Sequence, residues 1–171
     1  MREIRIEGEI AFVPLTKGYE AIIDAADVPL VDGWNWTAMI RLRSDGSVRA
    51  VYAKRCEQMG IKQRTVLMHR VISNTPYGFD TDHVSGDGLD NRRVNLRNAT
   101  KSQNQHNGRS RTNNTSGVKG VSWQSIRAKW QAMITLNGKQ RFLGYFNCRT
   151  AASFAYAKAS AEMHGEFGRT E

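Results

Sequence analysis

The chain reads as an α+β protein: a small β-rich N-terminal section, a ββα unit in the middle, and a three-stranded antiparallel sheet packed on one helix at the end. Three observations lead there. Residues 1–66 hold short apolar or alternating segments separated by turn residues, which is strand patterning. The stretch from Asp82 to Asn104, DHVSGDGLDNRRVNLRNATKSQN, sets a strand end, a Gly/Asp-rich turn, a second short strand and a helix start in succession. From Gly117 to Gly168, three strand-like segments precede an Ala-rich run of helical length. The segments expected are 1–63 (scaffold), 64–107 (central unit), 108–116 (polar linker) and 117–171 (C-terminal domain).

Taken in order, Tyr19–Ile23 is a strand candidate, Asp24–Leu30 a short helical or turn segment, and Trp34–Ile40 alternates with strand period. Trp34 and Trp36 then share one strand face, as core or interface residues. Ser44-Asp45-Gly46-Ser47 carries the Asp-Gly hairpin signal and returns into Val48–Ala53. Residues 64–75 run from strand into a short helix bearing His69, read as a structural histidine packed under the following hairpin, with phosphate binding or support of the active site as the alternative. Pro76, Tyr77 and Gly78 break that helix. Asp82-His83 closes the next strand, and Val94-Asn95-Leu96 suits its partner. Thr100-Lys101-Ser102-Gln103 is a capping box that starts a helix with Asn104 in its first turn.

Side chains in a first helical turn lean back toward the helix N-terminus, and so toward the preceding hairpin. That gathers Asp82, His83 and Asn104 at one point. Two oxygen donors and a neutral imidazole suit one hard cation and one activated water. Oxygen ligands favour Mg²⁺, with Mn²⁺ as its substitute; a tetrahedral zinc site lacks its four Cys or His ligands. Asp80, Asp87 and Asp90 read as turn and capping residues.

These residues resemble the HNH (ββα-metal) nuclease family, whose three letters fall on His83, Asn95 and Asn104. The resemblance implies a metal-dependent DNA endonuclease in which Asp82 and Asn104 hold the metal and His83 is the general base. Asn95 would bond the connecting loop and so steady the imidazole. The flanking text Leu67–Ile72 and Leu89–Arg93 is similar to the phage and intron-encoded, homing-type branch. One site per chain implies a nick from a monomer, with a double-strand break needing a DNA-bound dimer or two events. The competing reading is a DNA-binding regulator with an inactive nuclease-like core.

Gln105 to Gly117 has no apolar residue and is dense in Asn, Ser, Thr and Gly, which is linker composition. His106 is expected in solvent, and Arg109 and Arg111 are placed to follow a phosphate backbone. Val118–Trp123, Lys129–Thr135 and Arg141–Phe146 are the three strands, with the turn Asn137-Gly138-Lys139 between the last two. Thr150–His164 is the helix, ended by Gly165. Ala151, Ala152, Ala155 and Ala159 let it lie close on the sheet. This section resembles the Apetala or ethylene-response-factor type of DNA-binding domain, in which the sheet enters the major groove of double-stranded DNA. The resemblance carries over best to Lys119 and Trp130, with Arg127, Lys129 and Arg141 as phosphate partners; packing against the helix is the alternative for Trp130. Ser122 and Thr135 stand where the plant domains usually carry Arg, a departure from plant-like base readout.

Charge agrees with that division of labour. The net charge is +9; residues 1–66 carry 10 basic and 9 acidic side chains, 67–104 carry 5 and 4, and 105–171 carry 10 and 3. The excess lies at the C-terminal end, the footprint of a phosphate-binding module. No apolar run approaches the roughly 18 residues of a membrane span. Met1–Arg5 leads into no apolar stretch of the signal-peptide kind. Cys56 and Cys148 are far apart and match no metal spacing, so they are expected as reduced, buried or half-buried thiols of a cytoplasmic protein.

Overall fold

A computed structural model describes residues 2–108, 114–136, 138–168 and 170. Arg109, Arg111 and Asn137 lie outside the described residues. The chain divides into two compact units, residues 1–100 and 101–171. The architecture is α+β, with four small antiparallel sheets and four α-helices among the described residues.

In the first unit the strands are β1 (Arg5–Glu7), β2 (Ile10–Pro14) and β3 (Glu20–Asp24), followed by helix α1 (Val28–Val31). Then come β4 (Thr37–Leu42), β5 (Val48–Met59), β6 (Lys62–Leu67), α2 (Met68–Ile72), β7 (Asp80–His83) and β8 (Leu96–Ala99). They form an ordered β1-β2-β3 sheet, a β4-β5-β6 sheet and a β7-β8 pair. Alternation sorts the faces: Ala11 and Val13 on β2, Ala21 and Ile23 on β3, and Ala53 on β5 turn inward. With Val31, Trp36, Met68 and Ile72 they make one core, on which Leu89 and Leu96 of the β7-β8 region pack. That core and β6 both run across position 63/64, so the β-rich section and the β7-β8 hairpin share their packing.

The two early tryptophans do not share a strand face. Both precede β4. Trp36 is buried and donates its indole N–H to the Val31 carbonyl at 2.8 Å. Trp34 is exposed and carries the Arg55 guanidinium 3.7 Å from its ring centroid. Burial of the first ring required a hydrogen-bond acceptor for its N–H, and the end of α1 supplies one. Cys56 and Cys148 are unpaired, and both are exposed rather than buried.

The second unit contains α3 (Lys101–Asn107), β9 (Val121–Gln124), β10 (Lys129–Leu136), β11 (Lys139–Phe146) and α4 (Arg149–His164). The sheet order is β11-β10-β9, and the sheet packs on α4. Ala152, Tyr156 and Ala159 fall at helical spacing and meet Val121, Ala132 and Ile134. Ala151 is exposed and Ala155 half-buried, so the close approach rests on Ala152 and Ala159. The Cys148 Sγ accepts the Ala151 N–H at the start of α4. His106 lies within α3 and is not free in solvent: its ring stacks on His164 of α4, centroids 3.7 Å apart and 15° from parallel. At the end of the polar segment, the buried Ser116 hydroxyl bonds the Val118 and Val121 carbonyls.

Among the described residues no helix is long and apolar enough to cross a membrane.

Gly120 combines a φ of +71° with a tight site: a Cβ there would overlap the Tyr156 ring and the Met133 carbonyl oxygen. Gly120→Ala should cost about 1–3 kcal/mol through overpacking plus backbone strain. Urea denaturation of the full chain should show a lowered midpoint; an unchanged midpoint would mean that the Tyr156 ring gives way freely.

Candidate active site

The β7-β8 hairpin brings the central residues together by register. Asp82 lies opposite Arg97 and His83 opposite Leu96. Asp82 is buried; its Oδ2 accepts the Arg97 Nε–H at 2.8 Å and forms an ion pair with Arg97 Nη2 at 2.8 Å. A buried carboxylate needs such a partner, and a cross-strand position is the nearest place to supply it. Reading the hairpin register from Val94-Asn95-Leu96 would have exposed this pair in advance.

His83 ends β7, and the chain turns at once, with the Gly86 N–H on the His83 carbonyl at 2.9 Å. Asn95 spans the loop that follows. Its Oδ1 accepts the Ser85 N–H at 2.8 Å, and its Nδ2 donates to the Asp90 carbonyl at 2.7 Å. Asp87 accepts the Leu89 N–H at 2.9 Å, and Asp90 pairs with Arg92 at 2.7–2.8 Å. Both carboxylates are thus used in the turn.

The loop is also docked on the edge of β3. The Ile22 N–H donates to the Leu89 carbonyl at 2.8 Å, and the Asn91 N–H donates to the Ile22 carbonyl at 2.7 Å. Two residues on, the Arg93 N–H bonds Asp24 at 2.7 Å, and its guanidinium chelates the buried Asp27 at 2.7–3.1 Å. Asn91 itself is fully buried. Its Nδ2 donates to the Leu89 carbonyl at 3.0 Å, and its Oδ1 lies 3.3 Å from His83 Nε2. The docking itself is not legible in the sequence, because the partners lie some 66 to 69 positions apart in the chain.

Aromatic rings complete the surroundings of His83. His69 meets it edge to face, centroids 5.0 Å apart at 89°, and Tyr52 lies within 5.9 Å of both. Gly88 makes room for Tyr52, since a Cβ there would overlap that ring. His69 is buried with no partner on Nδ1 among the described residues, and burial pushes its pKa down to about 3. Burial likewise holds His83 below the ordinary histidine value, opposed by the Asn91 bond and by Asp82, Asp87 and Asp90. A neutral imidazole beside a carboxylate can accept a proton near neutral pH.

The first unit therefore assembles Asp82, His83 and Asn95. Asn104 lies on α3 of the second unit, where it is half-buried. Among the described residues no three His, Cys, Asp or Glu side chains converge as a metal-binding group.

In the second unit the face of the sheet away from α4 presents Lys129, Gln131, Phe142 and Tyr145. The Phe142 and Tyr145 rings are 4.8 Å apart, and the Arg127 guanidinium sits 5.0 Å from the Tyr145 centroid. Arg141 is exposed on β11. Trp130 is half-buried and packs against the α4-facing core, edge-on to Trp123. Lys119 Nζ donates to the carbonyls of His106 and Gly108 at 2.6 and 2.7 Å, so it caps the end of α3.

Neutral burial of His69 has a pH consequence. Its folded pKa lies below its unfolded value, so between about pH 6.5 and 3 the unfolded chain binds the extra proton and stability falls as pH falls. The slope from one such group approaches about 1.4 kcal/mol per pH unit inside that window. His69→Phe keeps a ring against His83 and should flatten the slope in urea denaturation between pH 7 and 5. An unaltered slope would mean that His69 titrates normally in the folded chain.

No protein-family model and no solved structure matches the chain. It is 34% identical over 94 residues to Protein 3.8 of Escherichia phage T7, a match that spans 55% of this chain and 77% of that protein. At that identity and coverage, the chain belongs to the same family as the T7 Protein 3.8.

Proposed function

We propose that this chain is a metal-dependent endonuclease that hydrolyses phosphodiester bonds in double-stranded DNA, a nicking enzyme of the phage or prophage homing type. The observation that carries this reading is the buried, neutral His83 beside Asp82, with its loop braced by Asn95. The similarity to a T7 protein supports the phage setting. Such an enzyme would work in the cytoplasm of a bacterial or phage-infected cell, where duplex DNA is its partner.

His83 would take the proton from the attacking water. Asn95 would keep the loop, and with it the imidazole, in place against the β7-β8 pair. The Asp82 carboxylate offers oxygen, the donor a hard cation prefers, and Mg²⁺ or Mn²⁺ accept few protein ligands. Held by Asp82, such a cation would supply the charge that steadies the pentavalent phosphate and the departing 3′ oxygen. The basic second unit would hold the duplex through Arg127, Lys129 and Arg141; Lys129 shares the sheet face of Phe142 and Tyr145, whereas Arg141, paired with Ile134, lies on the other face.

One observation favours the second reading, a DNA-binding regulator with an inactive core. Arg97 already neutralises Asp82, which weakens that carboxylate for a cation. Supercoiled plasmid separates the two. With Mg²⁺ the wild type should nick it, EDTA should stop the reaction, and His83→Ala should lower the rate by about 10²- to 10⁴-fold, the usual contribution of a general base. Equal rates in both proteins would remove His83 from the mechanism. Binding without cleavage in either protein would favour the regulator. Lys129→Ala or Arg141→Ala should weaken duplex binding and lower the salt slope by about 1 while leaving the maximal nicking rate intact. An unaltered slope would take those side chains off the phosphate backbone.

A further inference from the structure

We infer that Asn91 is a positioning residue that fixes His83 in the tautomer protonated at Nε2, so that Nδ1 is the basic nitrogen. This deepens the nuclease reading and rests on it for its use. Asn91 is fully buried, so its orientation is set by its neighbours and not by water. Its Nδ2 donates to the Leu89 carbonyl at 3.0 Å, an acceptor that the amide oxygen could not face without repulsion. That leaves Oδ1 toward His83 Nε2 at 3.3 Å. A carbonyl oxygen can only accept, so Nε2 must carry the hydrogen, and a neutral imidazole then has its lone pair on Nδ1.

The backbone of Asn91 is held as firmly as its side chain. Its N–H bonds the Ile22 carbonyl at 2.7 Å, and the Ile22 N–H returns a bond to Leu89, the residue whose carbonyl orients the amide. A chain of contacts thus runs from the β3 edge through Leu89 and Asn91 to the imidazole. In the reaction, Nδ1 would take one proton of the water. The water oxygen would form the new bond to phosphorus, and the P–O3′ bond would break with its electron pair leaving on O3′, which solvent protonates. Edge-on contact with His69 keeps the ring plane from rotating out of line with Asn91.

The test begins with the unsubstituted full chain, without metal or DNA. Nitrogen-15 NMR at about pH 8, where the neutral form dominates, distinguishes a protonated from an unprotonated ring nitrogen; comparison with His83→Gln assigns the signals. The result expected is a protonated Nε2 and an unprotonated Nδ1 on His83. In Asn91→Leu the preference should be lost, and the nicking rate at saturating plasmid should fall about 10- to 100-fold with the half-saturating plasmid concentration unchanged. Asn91→Asp keeps an acceptor toward Nε2 and should retain the wild-type tautomer, which decides the matter if Asn91→Leu fails to fold. A wild-type His83 protonated at Nδ1 would overturn the inference, as would an Asn91→Leu protein with unaltered tautomer and rate. The NMR readout is independent of cleavage. A wild type that shows the Nε2–H form yet nicks nothing would therefore overturn the nuclease reading while upholding the Asn91–His83 geometry.

Discussion

The first unit depends on one docking: the loop after β7 adds itself to the edge of β3. A loop of this length, rich in Gly and Asp, has little apolar surface of its own to bury and would be costly to order. Backbone bonds between Ile22 and Leu89 and between Asn91 and Ile22 give it the edge of a sheet to lie on. The chelation of Asp27 by Arg93 fastens the far end. Breaking a buried charge pair by removing one partner is costly because the other is left desolvated, so this fastening also forbids alternatives. The β-rich N-terminal section is thereby part of the site's support, since it carries the strand to which the loop is attached.

Around that docking the polar groups divide into two sets. Asn95, Asp87, Asp90 and Arg92 satisfy the loop's own backbone and one another, and their chemistry is consumed in holding shape. Asp82 and His83 lie at the end of a strand, where small backbone movements are resisted by cross-strand pairing. Burial keeps the imidazole neutral, and a neutral imidazole is the form that can accept a proton. The Asp82–Arg97 pair pulls the other way. It stabilises the hairpin, yet it competes with any cation for the same carboxylate oxygen.

The second unit solves a different problem. A three-stranded sheet has one face to bury, and α4 covers it with small residues at helical spacing, which lets Tyr156 reach under Gly120. The opposite face is left with aromatic and basic side chains together. Lys119 shows how a residue expected from resemblance as a DNA contact can have a structural task, since its ammonium ends the short α3 by bonding two carbonyls. The stacked His106 and His164 bind the same helix to α4. A helix of seven residues is too short to be stable alone, and contacts of this kind hold it in place.

Local patterns were legible in the sequence because their causes are local. Alternation marked the strands of the C-terminal sheet, Gly165 marked the end of α4, and the Asp-Gly turn marked the β4-β5 hairpin, each a property of a few adjacent residues. The α+β class follows from those patterns alone, as does the adjacency of Asp82 and His83. Tertiary structure decided the rest. Only the fold could pair Asp27 with Arg93, bring Asn91 to His83, set His69 edge-on against it, or turn Trp130 toward α4 while Phe142 and Tyr145 face outward. Hydrophobic burial is indifferent to sequence separation, and a buried polar group takes whichever partner the packing delivers. Partners of that kind are chosen by the assembled core, so no window along the chain could have named them.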